Sequence, residues 1–432
     1  MNSFLKKPQV LSLTANILAS SAGFISIWVL VRLLNAADLG MWMLYLTVFA
    51  FADMLRSGSI QTAFIRLVAD STYAFVKGSA WFIALAITML LIGIFYISLL
   101  IFSFSHVFPI PAYYPAILFF VSLPSAMAIW FMQSEGKFNI ILYIRLLITL
   151  PFLLFNLSGF FFPFSLLEVI EAHVICNALA SGIVIVSGWA EIKEIVFINK
   201  KSLVSLFRFG KYSVGTLIGA NLLKSSDIFM INWFLGPSAV ALYTLPYKLI
   251  ELIEIPIRSF ATTAMPLLSQ YSARNDIKAV QGVFNRNIGF LILLIIPFAV
   301  IGMWLADSIL LIIAGESYMG SADIFRCFIF YSLFLPLDRF LGITLDCLNK
   351  PYLNFIKVAA SVIINVLANV YVLNAFQSPV AVAATTILTI ICAVIIGITL
   401  LRKIMAVNLV CIFQEGFRTM SQSLHKILPH KV

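Results

Sequence analysis

Eight basic residues stand inside stretches that are otherwise apolar: Arg56, Arg145, Lys224, Lys248, Arg258, Arg326, Arg339 and Lys357. A cation at mid-membrane costs roughly 2.5–3.5 kcal/mol, so eight of them facing lipid would cost roughly 20–28 kcal/mol. That exceeds the ~5–15 kcal/mol net stability of most domains. Such residues must face water, pair with acids or sit near the ends of their spans. Arg326 and Lys357 lie within about a turn of the ends and can reach the interface. The deeper cations have acids at helical spacing: Asp53 and Arg56, Lys224 and Asp227, and Lys248 and Glu251 are each three apart, and Glu254 and Arg258 are four apart. These spacings put the partners on one helical face, where a pair either neutralises itself against a bundle interior or presents charge to a cavity. Arg145 has no acid within a turn in sequence, so it reads either as an anion contact or as a snorkelling residue. Arg339 follows Asp338 directly. Adjacent residues point apart on a helix, so Arg339 can also face a cavity.

The elements that must hold these charges are transmembrane helices. The chain of 432 residues is 62% hydrophobic and 11% charged, with a mean hydropathy of +1.05. Soluble domains are nearer half apolar and a quarter charged. A spanning helix needs about 20 mostly apolar residues. That ruler predicts twelve spans, at 10–31, 41–65, 79–102, 115–133, 139–156, 166–188, 212–234, 239–265, 288–313, 322–345, 352–374 and 380–401. With the N-terminus cytoplasmic, 19 cations, Lys77 among them, fall on the cytoplasmic side and one, Arg32, on the other. This asymmetry is what the positive-inside rule expects, with both termini in the cytoplasm. The net charge of +10 is then met by anionic membrane lipids and implies no nucleic acid. The first apolar run lacks a small-residue cleavage site and is expected to remain as a span. The five cysteines form no close pair, and the four histidines are too scattered for a metal site.

Residues 189–211 carry five cations among apolar residues such as Ile195, Val196 and Phe197, and read as an amphipathic linker along the membrane surface. The linker separates an N-terminal six-helix bundle (1–188) from a C-terminal one (212–401). The basic tail, 402–432, holds Leu409, Ile412, Phe413 and Phe417. It reads either as an interfacial helix or as a partly ordered solubilising segment. A shift of 201 residues sets Leu34 on Leu235, Leu44 on Leu245, Thr62 on Thr263, Ala63 on Ala264, Leu67 on Leu268 and Asp53 on Glu254; one further residue sets Arg56 on Arg258. Six spans per half make this a parallel repeat, the kind that frames a site near the midplane. Pro124, Pro151, Pro246, Pro256, Pro297 and Pro336 lie inside spans, as kinks for packing or as hinges.

Arg32-Leu33-Leu34 with Asp38-Leu39-Gly40, Leu235-Gly236-Pro237-Ser238-Ala239-Val240-Ala241-Leu242-Tyr243, and Pro266-Leu267-Leu268-Ser269 resemble signatures of the polysaccharide exporter family. That family belongs to the multidrug/oligosaccharidyl-lipid/polysaccharide (MOP) exporter superfamily. Asn35-Ala36 stands where Gly-Pro is common there. The sequence looks most like a bacterial O-antigen flippase, which moves undecaprenyl-diphosphate-linked repeat units across the inner membrane. The resemblance implies an all-α, MATE-like fold of two pseudo-symmetric six-helix bundles around a central cavity. It further implies a monomeric, multi-pass transporter of the bacterial inner membrane, acting beside an O-antigen polymerase and a chain-length regulator.

On that reading, Arg56, Arg145, Arg258, Lys224, Lys248 and Arg339 contact the diphosphate, since fixed positive charge eases its passage and Arg offers a bidentate fork. Asn16, Asn221, Asn365 and Asn369 offer polar contacts to sugars. Asp53, Asp227, Glu251, Glu254 and Asp338 either carry H+ or Na+ for antiport or serve as counter-ions. No other cofactor is implied, and no G-x-x-x-x-G-K loop suggests ATP hydrolysis. Two other functions fit the composition. A multidrug cation antiporter would favour acids over arginines in its lumen, and a membrane glycan polymerase or ligase usually presents a large periplasmic loop.

Overall fold

Apolar runs in lipid leave backbone N–H and C=O groups no water to bond, so each run closes its hydrogen bonds on itself as a helix. The structure, a computed structural model, describes residues 8–68, 73–102 and 113–427, without the side chains of 8–20, 59, 62, 63, 65–68, 73, 74, 98–102, 205, 207–217, 220 and 423–427. Lys6, Lys7, His106, His430 and Lys431 lie outside the described residues, as do the side chains of Asn16, Thr62, Ala63, Arg66, Arg208, Lys211, His425 and Lys426. The helices are α1 (Pro8–Leu33), α2 (Ala36–Val68), α3 (Tyr73–Phe102), α4 (Tyr113–Val121), α5 (Leu123–Ser134), α6 (Phe138–Ser158), α7 (Leu166–Val186) and α8 (Lys200–Leu235). They continue as α9 (Pro237–Ala273), α10 (Ile277–Trp304), α11 (Ala306–Ala314), α12 (Ala322–Ser332), α13 (Leu335–Cys347), α14 (Pro351–Phe376), α15 (Pro379–Arg402) and α16 (Leu409–Ile427). Short 3-10 turns occupy Ile192–Val196 and Glu316–Ser321. Among the described residues there is no strand.

Among the described residues, eight helical segments are long and apolar enough to cross a membrane, or nine when the pair bent by 42° at Leu333–Phe334 counts as one. The remaining expected spans fall on α1, α8 and α9. The α9 helix carries Lys248, Glu251, Glu254 and Arg258 within its expected span, which lowers its hydropathy. Twelve therefore stays an expectation. Pro124 and Pro336 open α5 and α13, the second halves of two interrupted helices, whereas α9 runs unbroken through Pro246, Pro256 and Pro266.

The chain divides into two compact units, Met1–Asn221 with Gly236–Ala241, and Leu222–Leu235 with Leu242–Val432. The core of unit 1 packs Ile60, Phe64, Trp81, Met127, Phe131, Ile144 and Val184. That of unit 2 packs Leu268, Phe284, Leu291, Phe340, Leu341, Leu345 and Leu401. The starts of α2 and α9 lie 201 positions apart, and those of α6 and α14, and of α7 and α15, lie 213 apart. Gly40 meets the backbone of residue 237 so closely that a Cβ would sit 1.7 Å from the Pro237 carbonyl oxygen. Gly236, at φ +82°, makes the left-handed turn between α8 and α9.

The expected linker differs from the sequence reading. Residues 189–199 pack onto α3, and α8 already begins at Lys200. Lys77, expected in a cytoplasmic loop, is instead buried on α3. Its Nζ donates to Glu135 at 3.1 Å and to Glu191 at 2.7 and 2.5 Å. The Trp81 indole donates to the Ala190 carbonyl at 3.0 Å. A buried ammonium is tolerable there because two carboxylates surround it.

Candidate functional site

Polar residues recur on one face of α14. Asn354, Lys357, Ser361, Asn365 and Asn369, spaced three or four apart, are all buried, and such spacing stacks side chains along a helix. The stripe leads to Asp227 of α8. Burial leaves this carboxylate 3% exposed. Its Oδ2 accepts hydrogen bonds from the Tyr243 hydroxyl at 2.6 Å and Thr386 Oγ1 at 3.1 Å, and its Oδ1 accepts one from Asn369 Nδ2 at 2.6 Å. Around them, Asn369 Nδ2 also donates to Asn365 Oδ1 at 3.3 Å, and Ser226 Oγ donates to the same oxygen at 3.0 Å. Thr385 donates to Asn369 Oδ1. Four helices, α8, α9, α14 and α15, thus converge on one acid in unit 2.

Among the described residues no lysine or arginine pairs with Asp227. An ionised carboxylate buried without a counter-charge is costly, and here three hydrogen-bond donors stand where a counter-charge would. Its surroundings are all oxygen and amide, and they add no second charge. One negative charge within neutral oxygen donors suits a monovalent ion. No group of three or more His, Cys, Asp or Glu occurs among the described residues, and a divalent ion normally calls for more carboxylates.

Lys224 does not pair with Asp227 as its spacing suggested. It turns to α9, with Nζ 3.6 Å from Glu254 Oε2 and 3.9 Å from Glu251 Oε1, and it stands 5.4 Å from the centre of the Tyr247 ring. The reason is that Asp227 is drawn the other way by its three donors. Lys248 reaches Glu251 at 3.1 Å and Arg258 reaches Glu254 at 2.5 Å. Arg339 is exposed and within electrostatic range of Glu254. Lys224, Lys248 and Arg258 thus gather on Glu251 and Glu254, and Arg339 has both Glu254 and Asp346 within its electrostatic reach. The side chains of Arg258, Lys224 and Lys248 are 55%, 41% and 33% exposed, so their donors remain open to an anion.

Lys357 departs from expectation, with Asp338 as its counter-ion. Lys357 does not snorkel; it is buried, and its Nζ donates to Asp338 Oδ1 at 2.6 Å and to the Asp338 carbonyl at 3.1 Å. Its position near the start of α14 misled, because α13 covers that end. Arg326 does stay at a helix end, pairing with Asp307 at 2.5 Å and Asp323 at 2.8 Å.

Arg56 in unit 1 also differs from a cavity-facing cation. It is fully buried and pairs with Asp53. Its Nη1 donates to the Phe119 carbonyl at 3.0 Å and its Nη2 to Ser122 Oγ at 3.2 Å, with the guanidinium 4.4 Å from the centre of the Phe119 ring. These partners flank the break between α4 and α5, where Pro124 has no N–H to give. The guanidinium braces an interrupted helix. Arg145 is half-buried on α6, and Asn221 is half-buried on α8.

Tyr243, Thr385, Thr386 and Ser226 were not read from the sequence as site residues. The spacing of Asn365 and Asn369 is a signal for this face, but it does not name the helices that meet it.

Residues 29–323 match the family described as polysaccharide biosynthesis protein. The chain belongs to this family. The resemblance read from its opening signatures to a polysaccharide exporter of the MOP superfamily holds. The protein named "Probable low-salt glycan biosynthesis flippase Agl15" from Haloferax volcanii is 25% identical over 221 residues. That match covers 50% of this chain and 47% of the relative, so the chain spans about half the length of the curated relative it matches. Among solved structures, the lipid II flippase MurJ in an inward closed conformation aligns with a TM-score of 0.74 at 13% identity, over 98% of this family member and 93% of MurJ. An inward-facing multidrug resistance MATE family transporter of the MOP superfamily aligns at 0.69 with 14% identity, over 97% and 99%. At these identities the likeness defines the fold. This family member has the fold of MOP superfamily transporters.

Proposed function

We propose that the chain is a membrane transporter, not an enzyme, and that it flips a lipid-linked glycan between leaflets. The cargo in this reading is an undecaprenyl-diphosphate-linked O-antigen repeat unit. It passes from the cytoplasmic to the periplasmic leaflet of the inner membrane by alternating access. The observation that carries the reading is the group of half-exposed or exposed cations, Lys224, Lys248, Arg258 and Arg339, gathered around Glu254 in unit 2. A diphosphate brings two or three negative charges into a region of low dielectric, where charge-assisted hydrogen bonds gain strength. Arg258 and Arg339 supply bidentate forks, and Lys224 and Lys248 supply point charges.

Asp227 is the coupling group in this reading. Loading it with H+ or Na+ neutralises the buried acid, and releasing the ion restores the charge. A cycle that alternates these states draws on an ion gradient and needs no nucleotide. Membership of the polysaccharide biosynthesis family and the flippase description of the archaeal relative support the choice of cargo.

The test is to deplete the protein in its host and locate the lipid-linked oligosaccharide. Complete repeat units trapped on the cytoplasmic leaflet are the expected result. Single units reaching the opposite leaflet unpolymerised would indicate a polymerase. Unchanged glycan lipids would sink both and favour a drug antiporter.

A further inference from the structure

The α10 helix changes character along its length. From Ile277 to Asn287 it carries Lys278, Gln281, Asn285, Arg286 and Asn287, and from Ile288 to Trp304 it has no charged residue. The switch marks where α10 enters the hydrocarbon. At 1.5 Å per residue the apolar part rises about 25 Å, close to the roughly 30 Å of a bilayer core.

The α16 helix crosses α10 at this switch. A Cβ on Gly289 would lie 2.0 Å from the Ile412 carbonyl oxygen, and one on Gly416 would lie 2.3 Å from the Gly289 carbonyl carbon. The two backbones are in contact, and Ile412 is fully buried in the core of unit 2. α16 is therefore held at the depth where the membrane begins. Beside its docked face, Leu409, Val410, Phe413 and Phe417 are exposed. At 100° per residue they share one arc about 100° wide, with Gln414 and Ser421 at its edge and Arg418 and Gln422 on the far side. Exposed cations gather on the same part of the chain: Arg286 just before the switch in α10, Arg402 and Lys403 at the end of α15, and Arg418. α16 itself carries one acid, Glu415, which lies 4.0 Å from Arg418.

We propose that α16 is a lipid-binding surface helix whose partner is the anionic phospholipid of the adjoining leaflet. Its Leu409, Val410, Phe413 and Phe417 face seats among the upper acyl chains, and the flanking cations engage the headgroups. The assignment is independent of what the chain transports.

A photo-crosslinking amino acid placed at position 417 or at position 422 of the full chain tests this in vesicles of phosphatidylcholine with phosphatidylglycerol. Adducts are identified by mass spectrometry. Position 417 is expected to give lipid adducts several-fold more often than position 422. Phosphatidylglycerol should be enriched in them about twofold over its bulk fraction, and Arg402→Gln with Lys403→Gln and Arg418→Gln should remove the enrichment. Equal yields at the two positions would overturn the proposal. So would adducts at 417 made mainly to a second copy or to a soluble protein, or anionic lipid at its bulk fraction.

Discussion

Arg56 and Arg258 stand 202 positions apart at matching places in the two units, and each is paired with an acid of its own helix. Arg56 is fully buried against an interrupted helix, whereas the side chain of Arg258 is 55% exposed. The same contrast recurs deeper in each unit. Shifts of 201 and 213 positions pair Asp227 with Ser26, Tyr243 with Trp42, Asn365 with Phe152, Asn369 with Asn156 and Thr386 with His173. In unit 2 these positions build the hydrogen-bond shell of a carboxylate. In unit 1 they build an aromatic cluster: the Trp42 and Phe152 rings lie 5.5 Å apart, and His173 lies 5.4 Å from Trp42 and 5.1 Å from Phe152. The Tyr45 hydroxyl stands 3.5 Å from His173 Nδ1, and the buried Asn156 amide has no hydrogen-bond partner among the described residues. One helical frame thus carries an aromatic cluster in unit 1 and a hydrogen-bonded carboxylate in unit 2, the one to which the proposed function assigns exchangeable charge.

The largest effect should come from removing the acids of the matched pairs. Asp53→Leu strands a fully buried guanidinium and should cost about 3–5 kcal/mol, read as a fall in melting temperature in detergent. Glu254→Leu leaves Arg258 able to reach water and should cost about 1 kcal/mol or less. Equal losses would erase the contrast. Next, Gly40→Val would force a side chain into the backbone at Pro237 and should destabilise by about 1–3 kcal/mol or more. Unchanged melting would show that the close approach is not kept.

Transport should divide the units in the opposite sense. Arg258→Ala should lower flipping of a fluorescent lipid-linked glycan in proteoliposomes about tenfold, a loss of about 1.4 kcal/mol, with little change in melting. The smallest effect concerns the shells. Thr386→Val removes one donor that stabilises the unloaded, ionised Asp227 and should lower the half-saturating concentration of the coupling cation about fivefold, the worth of one hydrogen bond. His173→Val at the matching position should leave that concentration within about twofold. A larger shift from His173 than from Thr386 would reverse the comparison.

Much of the frame was legible in the sequence because lipid tests each residue singly: apolar runs must be helices, and cations inside them must be accommodated. The pairs Asp53–Arg56, Lys248–Glu251 and Glu254–Arg258 could be read because helix geometry fixes neighbours three and four apart. Contacts between distant helices could not. Asp227 takes its donors from residues 16, 142 and 159 positions away, and nothing local distinguishes Thr386 from a threonine bonding its own backbone. Lys357 was misjudged for the same reason. Its nearness to a helix end was visible, but the covering Asp338 of α13 was not. Arg56 was legible as a deep cation, though its engagement of the Phe119 carbonyl depends on how α4 breaks.

The measurement that bears most directly on the division between the units is ion binding to the purified full-length protein. Saturable uptake of radioactive Na+, or of protons after an acid pulse, is expected for the wild type and for Asp53→Asn, and should be lost in Asp227→Asn. Retention of the signal by Asp227→Asn, or its absence from the wild type for both ions, would contradict the assignment of exchangeable charge to unit 2.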